Sequence, residues 1–109
     1  MAKVNSIQEV FEHLDEGFQS DKAEGVNAIF QFDLTGDDGG KYWVKVEDKQ
    51  PEVHEGEHDA PTMILTASAA DYLAMVNGEL APMTAFMQGR VKVKGDMGLA
   101  MKLQAMFGL

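Results

Sequence analysis

The stretch from Leu80 to Phe107 constrains the fold more than any other part of the chain, because three short segments in it have different local signatures. Pro82 suits the first turn of a helix, and Gly89 suits the end of one. Segment 90–94 alternates valine with basic residues, which indicates a half-buried strand. Asp96 is a good N-cap for a last helix. The stretch therefore predicts a helix, a strand and a second helix in immediate succession.

The predicted last helix is apolar around most of its circumference. After its cap, Lys102 and Gln104 are its only polar side chains up to Phe107. One face of such a helix can pack on a sheet, and the other needs a second helix, a partner chain or an apolar ligand. Five of the eight methionines lie between Met83 and Met106, and methionine recurs on surfaces that adapt to varied apolar partners. Ordinary core packing explains any single methionine, whereas the cluster as a whole favours a binding surface.

Length and composition are those of one globular domain. The chain has 109 residues, of which 45% are hydrophobic, so we expect a single domain over residues 1–109. No apolar run approaches the roughly 18 residues of a membrane span. The segment Met1 to Asn5 has no apolar core, so we expect no secretory signal and a cytoplasmic location.

The charge of the chain excludes some classes of partner. Its net charge is −9, with 18 acidic and 9 basic residues, which argues against binding to nucleic acid. The same charge argues against strong electrostatic attachment to anionic lipid, although it leaves room for transient membrane contact. The chain has no cysteine, which excludes disulfides and thiolate metal sites.

The first 79 residues predict a helix, four strands and a second helix. Ser6 and Glu9 form a capping box, and apolar residues recur from there to Phe18 at helical spacing. Ser68 caps the second helix, which stops at Asn77. Alternation or apolar runs predict strands at 26–34, 41–47, 52–55 and 62–67.

Short turns between consecutive strands predict a sheet in which most neighbours are antiparallel. One of these turns is Asp48-Lys49, which lacks the glycine that is common in such turns. We therefore expect an α+β fold with a five-stranded, mainly antiparallel sheet and helices packed on one face.

In these segments the chain resembles the sterol carrier protein type 2 family of small lipid-carrier domains. The resemblance rests on Trp43-Val44-Lys45-Val46 and on Ala60-Pro61-Thr62-Met63-Ile64-Leu65-Thr66 leading to Asp71. Its most telling part runs from Gly78 to Asp96, with a Gly-x-Leu-x-Pro turn, a short helix, a basic strand and Gly-Asp before the last helix. The order and spacing of these pieces carry the resemblance, which covers essentially the whole chain. The chain end differs from the Ser-Lys-Leu type of peroxisomal signal, as in a free-standing member of prokaryotic type.

The resemblance implies a lipid cavity between the sheet and the helices. It also implies non-catalytic binding of a fatty acid, fatty acyl-CoA, sterol or phospholipid, without a cofactor. The energetics agree, because an apolar tail that leaves water gains about 0.8 kcal/mol per buried CH2. The candidate lipid-binding residues, each also compatible with ordinary core packing, are Phe30, Phe32, Val46, Tyr72, Met75, Met83, Phe86, Met87, Met101, Leu103 and Met106.

The sequence gives little support to catalytic or metal chemistry. It contains no cysteine nucleophile, no Gly-x-Ser-x-Gly elbow and no phosphate-binding glycine loop, so we expect no enzymatic activity. Segment 54–59 combines two histidines with carboxylates that can bind zinc, but it also fits a solvated acidic hairpin, and we assign no metal site. Arg90, the only arginine, fits either an anchor for a lipid carboxylate or phosphate or a solvent-facing strand edge.

The alternative function is an interaction module. The second face of the last helix would then pack against another chain, giving a dimer or docking to an enzyme of lipid metabolism. A carrier should be monomeric and take up lipid, and this is the state that we expect.

Overall fold

The computed structural model describes residues 5–107, which form a five-stranded sheet with helices on one side. The strands are β1 (Ala28–Thr35), β2 (Gly40–Glu47), β3 (Gln50–Glu55), β4 (Met63–Ser68) and β5 (Val91–Gly95). The helices are α1 (Ile7–Glu12), α2 (Leu14–Gly17), a 3₁₀ helix (Ser20–Ala23), α3 (Ala69–Val76), α4 (Pro82–Met87) and α5 (Met97–Met106). The four strands predicted before α3 lie within two residues of their observed positions.

The strand order is β3-β2-β1-β4-β5, and three of the four neighbouring pairs are antiparallel. The pair β1–β4 in the middle of the sheet is parallel. The predicted α+β class with a mainly antiparallel sheet is confirmed. The parallel pair was not predicted. It arises because residues 56–62 carry the chain from the edge strand β3 across the sheet to the far side of β1.

One face of the sheet carries the hydrophobic core, and the strand register aligns its side chains in rows. Phe30 lies between Val44 on β2 and Met63 on β4, and Phe32 lies beside Leu65. All five side chains are buried beneath the helices. The apolar residues that alternate in β1 are therefore the ones that face the core, as the two-residue period of a strand predicts.

The opposite face of the sheet is covered at Gln31, in the central strand β1. Gln31 is 1% exposed because the segment after β3 folds across it. The backbone N–H of His58 donates to Gln31 Oε1 at 3.0 Å, and Gln31 Nε2 donates to Asp33 Oδ1 at 2.9 Å. Beside them, the ring of His54 stacks on Trp43 with centroids 4.1 Å apart. Strand β1 is thus covered on both faces at Gln31, and the oxygen and the nitrogen of this buried side-chain amide each have a hydrogen-bond partner.

The predicted N-terminal helix over residues 6–18 is wrong in its continuity. Ser6 accepts a hydrogen bond from the backbone N–H of Glu9 as predicted, but α1 ends at Glu12 and α2 begins at Leu14. His13 leaves helical geometry at φ −109° and ψ 15°, and the N–H of Glu16 bonds to its carbonyl, three residues back. This tighter turn breaks the helix although the apolar spacing continues through it.

The polar connection predicted after this helix contains a buried anchor. Ala23, in the 3₁₀ helix, is fully buried, and the backbone N–H of Gln19 donates to the carbonyl of Met106 at 2.7 Å. The rings of Phe18 and Phe107 also pack together, with centroids 5.8 Å apart. These contacts hold the C-terminal end of α5 against the N-terminal part of the chain.

Candidate functional site

A cavity of about 250 Å³ lies between the helices and the β4–β5 edge of the sheet. We call it the α4–α5 groove. Its lining residues come from β4, β5, α3, α4, α5 and their ends: Met63, Leu65, Met75, Pro82, Met83, Phe86, Val91, Val93, Met97, Ala100, Met101, Leu103 and Gln104.

The α4–α5 groove has a buried floor and an exposed mouth. Leu65, Met75 and Leu103 belong to the floor and are almost fully buried. Met83 and Met101 line the same space, yet they are 58% and 74% exposed. The space between α4 and α5 therefore leads from the surface to side chains that belong to the core.

The end of α4 is built by a local backbone motif. Gly89 adopts φ +74°, and its N–H bonds to the carbonyl of Phe86, while the N–H of Arg90 bonds to the carbonyl of Ala85. This is the Schellman arrangement, which satisfies the last carbonyls of a helix and favours glycine at the left-handed position. It confirms the predicted helix end and turns the chain directly into β5.

The start of α5 is fixed by the Gly95-Asp96 pair. Gly95 adopts φ +107°, and a Cβ there would lie 2.6 Å from the carbonyl oxygen of Thr62, so no larger residue fits without displacing β4. Asp96 then accepts hydrogen bonds from the backbone N–H groups of Gly98 (2.9 Å) and Leu99 (3.3 Å), as its predicted N-cap role requires. These contacts place the first turn of α5 beside the end of β5, at the mouth of the α4–α5 groove.

The chemistry of the groove is limited to apolar contact. Gln104 is the only lining residue with a polar side chain other than the thioethers, and no lining residue is ionisable. The groove itself therefore offers no general acid or base and no charged anchor. Tyr72, packed in the adjacent core, is buried, and burial raises the pKa of its phenol well above its usual value, so the group stays protonated and neutral.

Of the eleven candidate lipid-binding residues, the structure brings five together in the groove. These are Met75, Met83, Phe86, Met101 and Leu103. Five others do not line it and are buried in the core: Phe30, Phe32, Val46, Tyr72 and Met106. Met87, at the end of α4, is 79% exposed and is also outside the lining.

The phenylalanines of β1 lie outside the groove because aromatic rings cover them. Phe32 packs against Phe11, Tyr72 and Phe107, with ring centroids 5.3 to 5.7 Å apart. Phe30 packs against Phe107 at 5.9 Å. The aromatic cluster thus fills the layer above β1, and the open space is displaced toward β4 and β5.

Sequence reasoning missed eight of the lining residues: Met63, Leu65, Pro82, Val91, Val93, Met97, Ala100 and Gln104. Two of these, Val91 and Val93, belong to a strand whose alternation was recognised. Their inward direction was therefore available from the sequence. What the sequence did not reveal was that β5 pairs with β4 and forms the floor of an open space.

The other candidate groups have protein partners. Arg90 donates to Asp71 Oδ1 at 3.0 Å and to Gln88 Oε1 at 3.2 Å. His54 Nε2 lies 2.6 Å from Glu52 Oε1. Within residues 5–107, no three side chains are arranged as ligands for a metal ion. No helix in that part of the chain is long and apolar enough to cross a membrane.

The fold agrees with the family that the sequence matches. Residues 7–108 match the SCP-2 sterol transfer family, and the chain belongs to it. It is also similar to hydroxysteroid dehydrogenase-like protein 2 of Bos taurus, with 33% identity over 104 residues that cover 94% of this chain and 25% of the bovine protein. The chain thus spans about a quarter of the length of the curated relative, and the similarity concerns that part alone.

Solved structures show the same fold. The sterol carrier protein domain 2 of Helicoverpa armigera has 27% identity and a TM-score of 0.69, over 96% of this chain and 91% of that one. Palmitated SCP2L2 from Aedes aegypti has 24% identity and a TM-score of 0.72, over 96% of each chain. Both structural alignments cover the two chains almost completely. The architecture described above is therefore that of sterol carrier protein domains.

Proposed function

We propose that this domain is a non-catalytic intracellular carrier that holds the hydrocarbon chain of a fatty acid or a related lipid in the α4–α5 groove. The observation that carries the proposal is the groove itself, which joins buried core side chains to an exposed mouth and has no ionisable lining residue. Such a space recognises hydrocarbon and supplies no group for covalent chemistry or proton transfer.

The size of the groove limits how a ligand binds. Its volume of about 250 Å³ lies just below the range of about 300–1,000 Å³ that is common for ligand pockets. A hydrocarbon segment of about eight methylenes would gain roughly 6 kcal/mol on leaving water, before the cost of association. A longer chain needs the mouth to widen, and the flexible side chains of Met83, Met97 and Met101 are suited to that movement.

The relatives support the class of ligand. The chain belongs to the SCP-2 sterol transfer family, and the similar Aedes aegypti domain is known in a palmitated form. We therefore expect a saturated chain such as that of palmitate to be accepted, with its carboxylate at the mouth and in contact with water.

The experiment is a binding measurement with a variant that fills the groove. Ala100 lines the groove from α5, whereas Ala105 lies on the same helix, is exposed and does not line it. We expect the unmodified protein to bind one palmitate in native mass spectrometry and to bind a fluorescent fatty acid. Ala100→Phe should weaken that binding at least tenfold, and the control Ala105→Phe should leave it within twofold.

Two results would contradict the proposal. The first is an unmodified protein, folded by circular dichroism, that binds neither palmitate nor the fluorescent probe. The second is equal binding by the two phenylalanine variants, which would place the ligand elsewhere.

A second candidate function is a dimerisation or docking module for an enzyme of lipid metabolism. The observation in its favour is the exposure of five large apolar side chains on α4 and α5, of which Met87 and Met101 are the most exposed. The relatives that contain such a domain within a longer chain are consistent with a role as a module. Sedimentation velocity tests the dimerisation form of this function, because a dimerising module self-associates while a carrier remains a monomer at micromolar concentration.

A further inference from the structure

The exposed apolar side chains of this protein are concentrated on one surface. Within residues 5–107, every large hydrophobic residue that is strongly exposed belongs to α4 or to the first half of α5: Met83, Phe86, Met87, Met97 and Met101. All of them except Met87 also line the α4–α5 groove, so they surround its mouth as neighbours. We call these five residues the methionine rim.

The net charge differs in sign between the segment that contains the methionine rim and the rest of the chain. Residues 1–79 carry five basic and 17 acidic residues, for a net charge of −12. Residues 80–109 carry four basic residues and one acidic residue, for a net charge of +3. The segment that contains the methionine rim is therefore positive in a protein that is otherwise strongly acidic.

The one acidic side chain of that segment already has hydrogen-bond partners within the protein. Asp96 accepts two backbone hydrogen bonds as the N-cap of α5, and Arg90 is paired with Asp71. The remaining basic residues, Lys92, Lys94 and Lys102, are exposed, and none of them forms an ion pair within the described part of the chain. Three lysine charges are thus available to an external partner.

The lysines lie on the two elements, β5 and α5, that border the groove. Val91 and Val93 line the groove, and Lys92 and Lys94 alternate with them, so these two lysines leave the same edge strand on the other face. Lys102 follows the rim residue Met101 on α5. The long side chains of lysine can extend their amino groups past an apolar contact to reach phosphate groups at its border.

From this arrangement we propose that the methionine rim and Lys92, Lys94 and Lys102 form a docking surface for an anionic lipid bilayer. The rim enters the interfacial region, and the lysines contact the anionic headgroups. The acidic remainder of the chain is repelled by the same surface, which orients the mouth of the groove toward the bilayer. Docking of this kind requires no ligand in the groove, so the inference goes beyond the proposed function and can be tested separately.

The charge complementarity favours a lipid surface over a second copy of this chain. Two copies that met through this surface would bring their lysines together, whereas an anionic bilayer neutralises them. Each basic residue near such a surface contributes about 1 kcal/mol at moderate ionic strength, which corresponds to roughly a fivefold change in partition coefficient.

The test is sedimentation of the full chain with large unilamellar vesicles. One set contains phosphatidylcholine alone, and the other contains phosphatidylcholine with 30% phosphatidylglycerol. We expect binding to the anionic vesicles at 50 mM NaCl, at least tenfold weaker binding to the neutral vesicles, and loss of binding at 500 mM NaCl.

Two groups of variants locate the surface. The triple variant Lys92→Gln, Lys94→Gln, Lys102→Gln should weaken binding to anionic vesicles at least tenfold. The matched control Lys41→Gln, Lys45→Gln, Lys49→Gln removes the same charge from β2 and the turn after it and should weaken binding less than threefold. Met87→Gln with Met101→Gln should also weaken it at least tenfold, with no loss of thermal stability, because both side chains are mostly exposed.

The inference is overturned if the unmodified protein stays off anionic vesicles or if the two lysine triple variants behave alike. The unmodified protein could instead fail to bind vesicles and form a dimer. If Met87→Gln with Met101→Gln then made it monomeric, the surface would be shown to bind protein rather than lipid. Uptake of a fluorescent fatty acid without vesicles reports on the groove alone, so a failure of docking and a failure of the carrier function give different results.

Discussion

The guanidinium of Arg90 donates a hydrogen bond of 3.0 Å to the carboxylate of Asp71, which joins the residue before β5 to the first turn of α3. The sequence left two roles open for this arginine, an anchor for a lipid headgroup and a residue of a strand edge. The ion pair gives it a structural partner on the helix beside the groove. A ligand carboxylate would have to compete with Asp71 for the same donors.

We therefore predict that Arg90→Gln has a small effect on both stability and ligand affinity. The side chains of Arg90 and Asp71 are 45% and 20% exposed, so the coupling between them should be at most about 1 kcal/mol and should shrink in high salt. A double-mutant cycle with Asp71→Asn, followed by urea unfolding, measures it. Palmitate affinity should change less than twofold. A tenfold loss for palmitate with none for hexadecanol would instead identify Arg90 as the anchor.

The floor and the mouth of the α4–α5 groove should respond differently to truncation. Leu103 is 2% exposed, so Leu103→Ala should lower the free energy of unfolding by about 2–5 kcal/mol. Met101, two residues away on α5 and 74% exposed, should lose less than about 0.5 kcal/mol when changed to alanine. Urea unfolding of both variants without ligand checks this. Equal losses would mean that the first half of α5 packs more tightly than its exposure indicates.

Local signals in the sequence predicted most of the elements because each is enforced by short-range chemistry. Asp96 caps α5, and the Gly89 turn ends α4, as the residue types require. The alternation in β1 assigned Phe30 and Phe32 to the core face, where both are buried. Such signals depend on a few neighbouring residues, so they can be recognised without knowledge of the tertiary structure.

The arrangement of the groove was harder to predict because it depends on which strands are neighbours. Met63 and Leu65 lie between β1 and β5 because β4 pairs with β1 in parallel and with β5 antiparallel, and nothing local in these residues reveals either pairing. Phe30 and Phe32 were correctly placed on the inner face but belong to an aromatic cluster, since Phe107 covers them. Periodicity distinguishes the two faces of a strand, but it does not distinguish filled from open space above one face.

The turn between β2 and β3 should be improved by glycine. Asp48 and Lys49 have φ values of +54° and +64°, so both lie in the left-handed region that disfavours residues with a Cβ. Lys49→Gly should raise the free energy of unfolding by about 0.5–1 kcal/mol, because the relief of strain exceeds the added flexibility of the unfolded chain. Thermal and urea unfolding measure the change.

The control for this turn is Lys45→Gly. Lys45 lies within β2 and pairs with Glu52, so glycine there should destabilise the protein. A Lys49→Gly variant that is no more stable than the unmodified protein would contradict the assignment of a strained turn.

Tyr72 should make the protein lose stability in alkaline solution. Its burial raises the pKa of the phenol in the folded state above the usual value of 10.0, which applies to the unfolded chain. Below pH 10 both states are protonated and the group has no effect on the pH dependence. Above pH 10 the unfolded chain releases the proton and the folded chain retains it, so stability falls by up to about 1.4 kcal/mol per pH unit.

Tyr72→Phe removes this contribution, so the difference in unfolding free energy between the two proteins should narrow by about 1 kcal/mol between pH 10 and pH 11, where the unfolded phenol goes from half to almost fully ionised. Tyr42 remains in both, and its pKa is also raised, chiefly by burial and further by Glu55 and Glu12, so the variant keeps part of the slope. Urea unfolding of both proteins at pH 8, 10 and 11 isolates the contribution of Tyr72, because Tyr42 and the lysines are the same in both. Parallel pH profiles for the two proteins would show that Tyr72 ionises in the folded state and is therefore accessible to water.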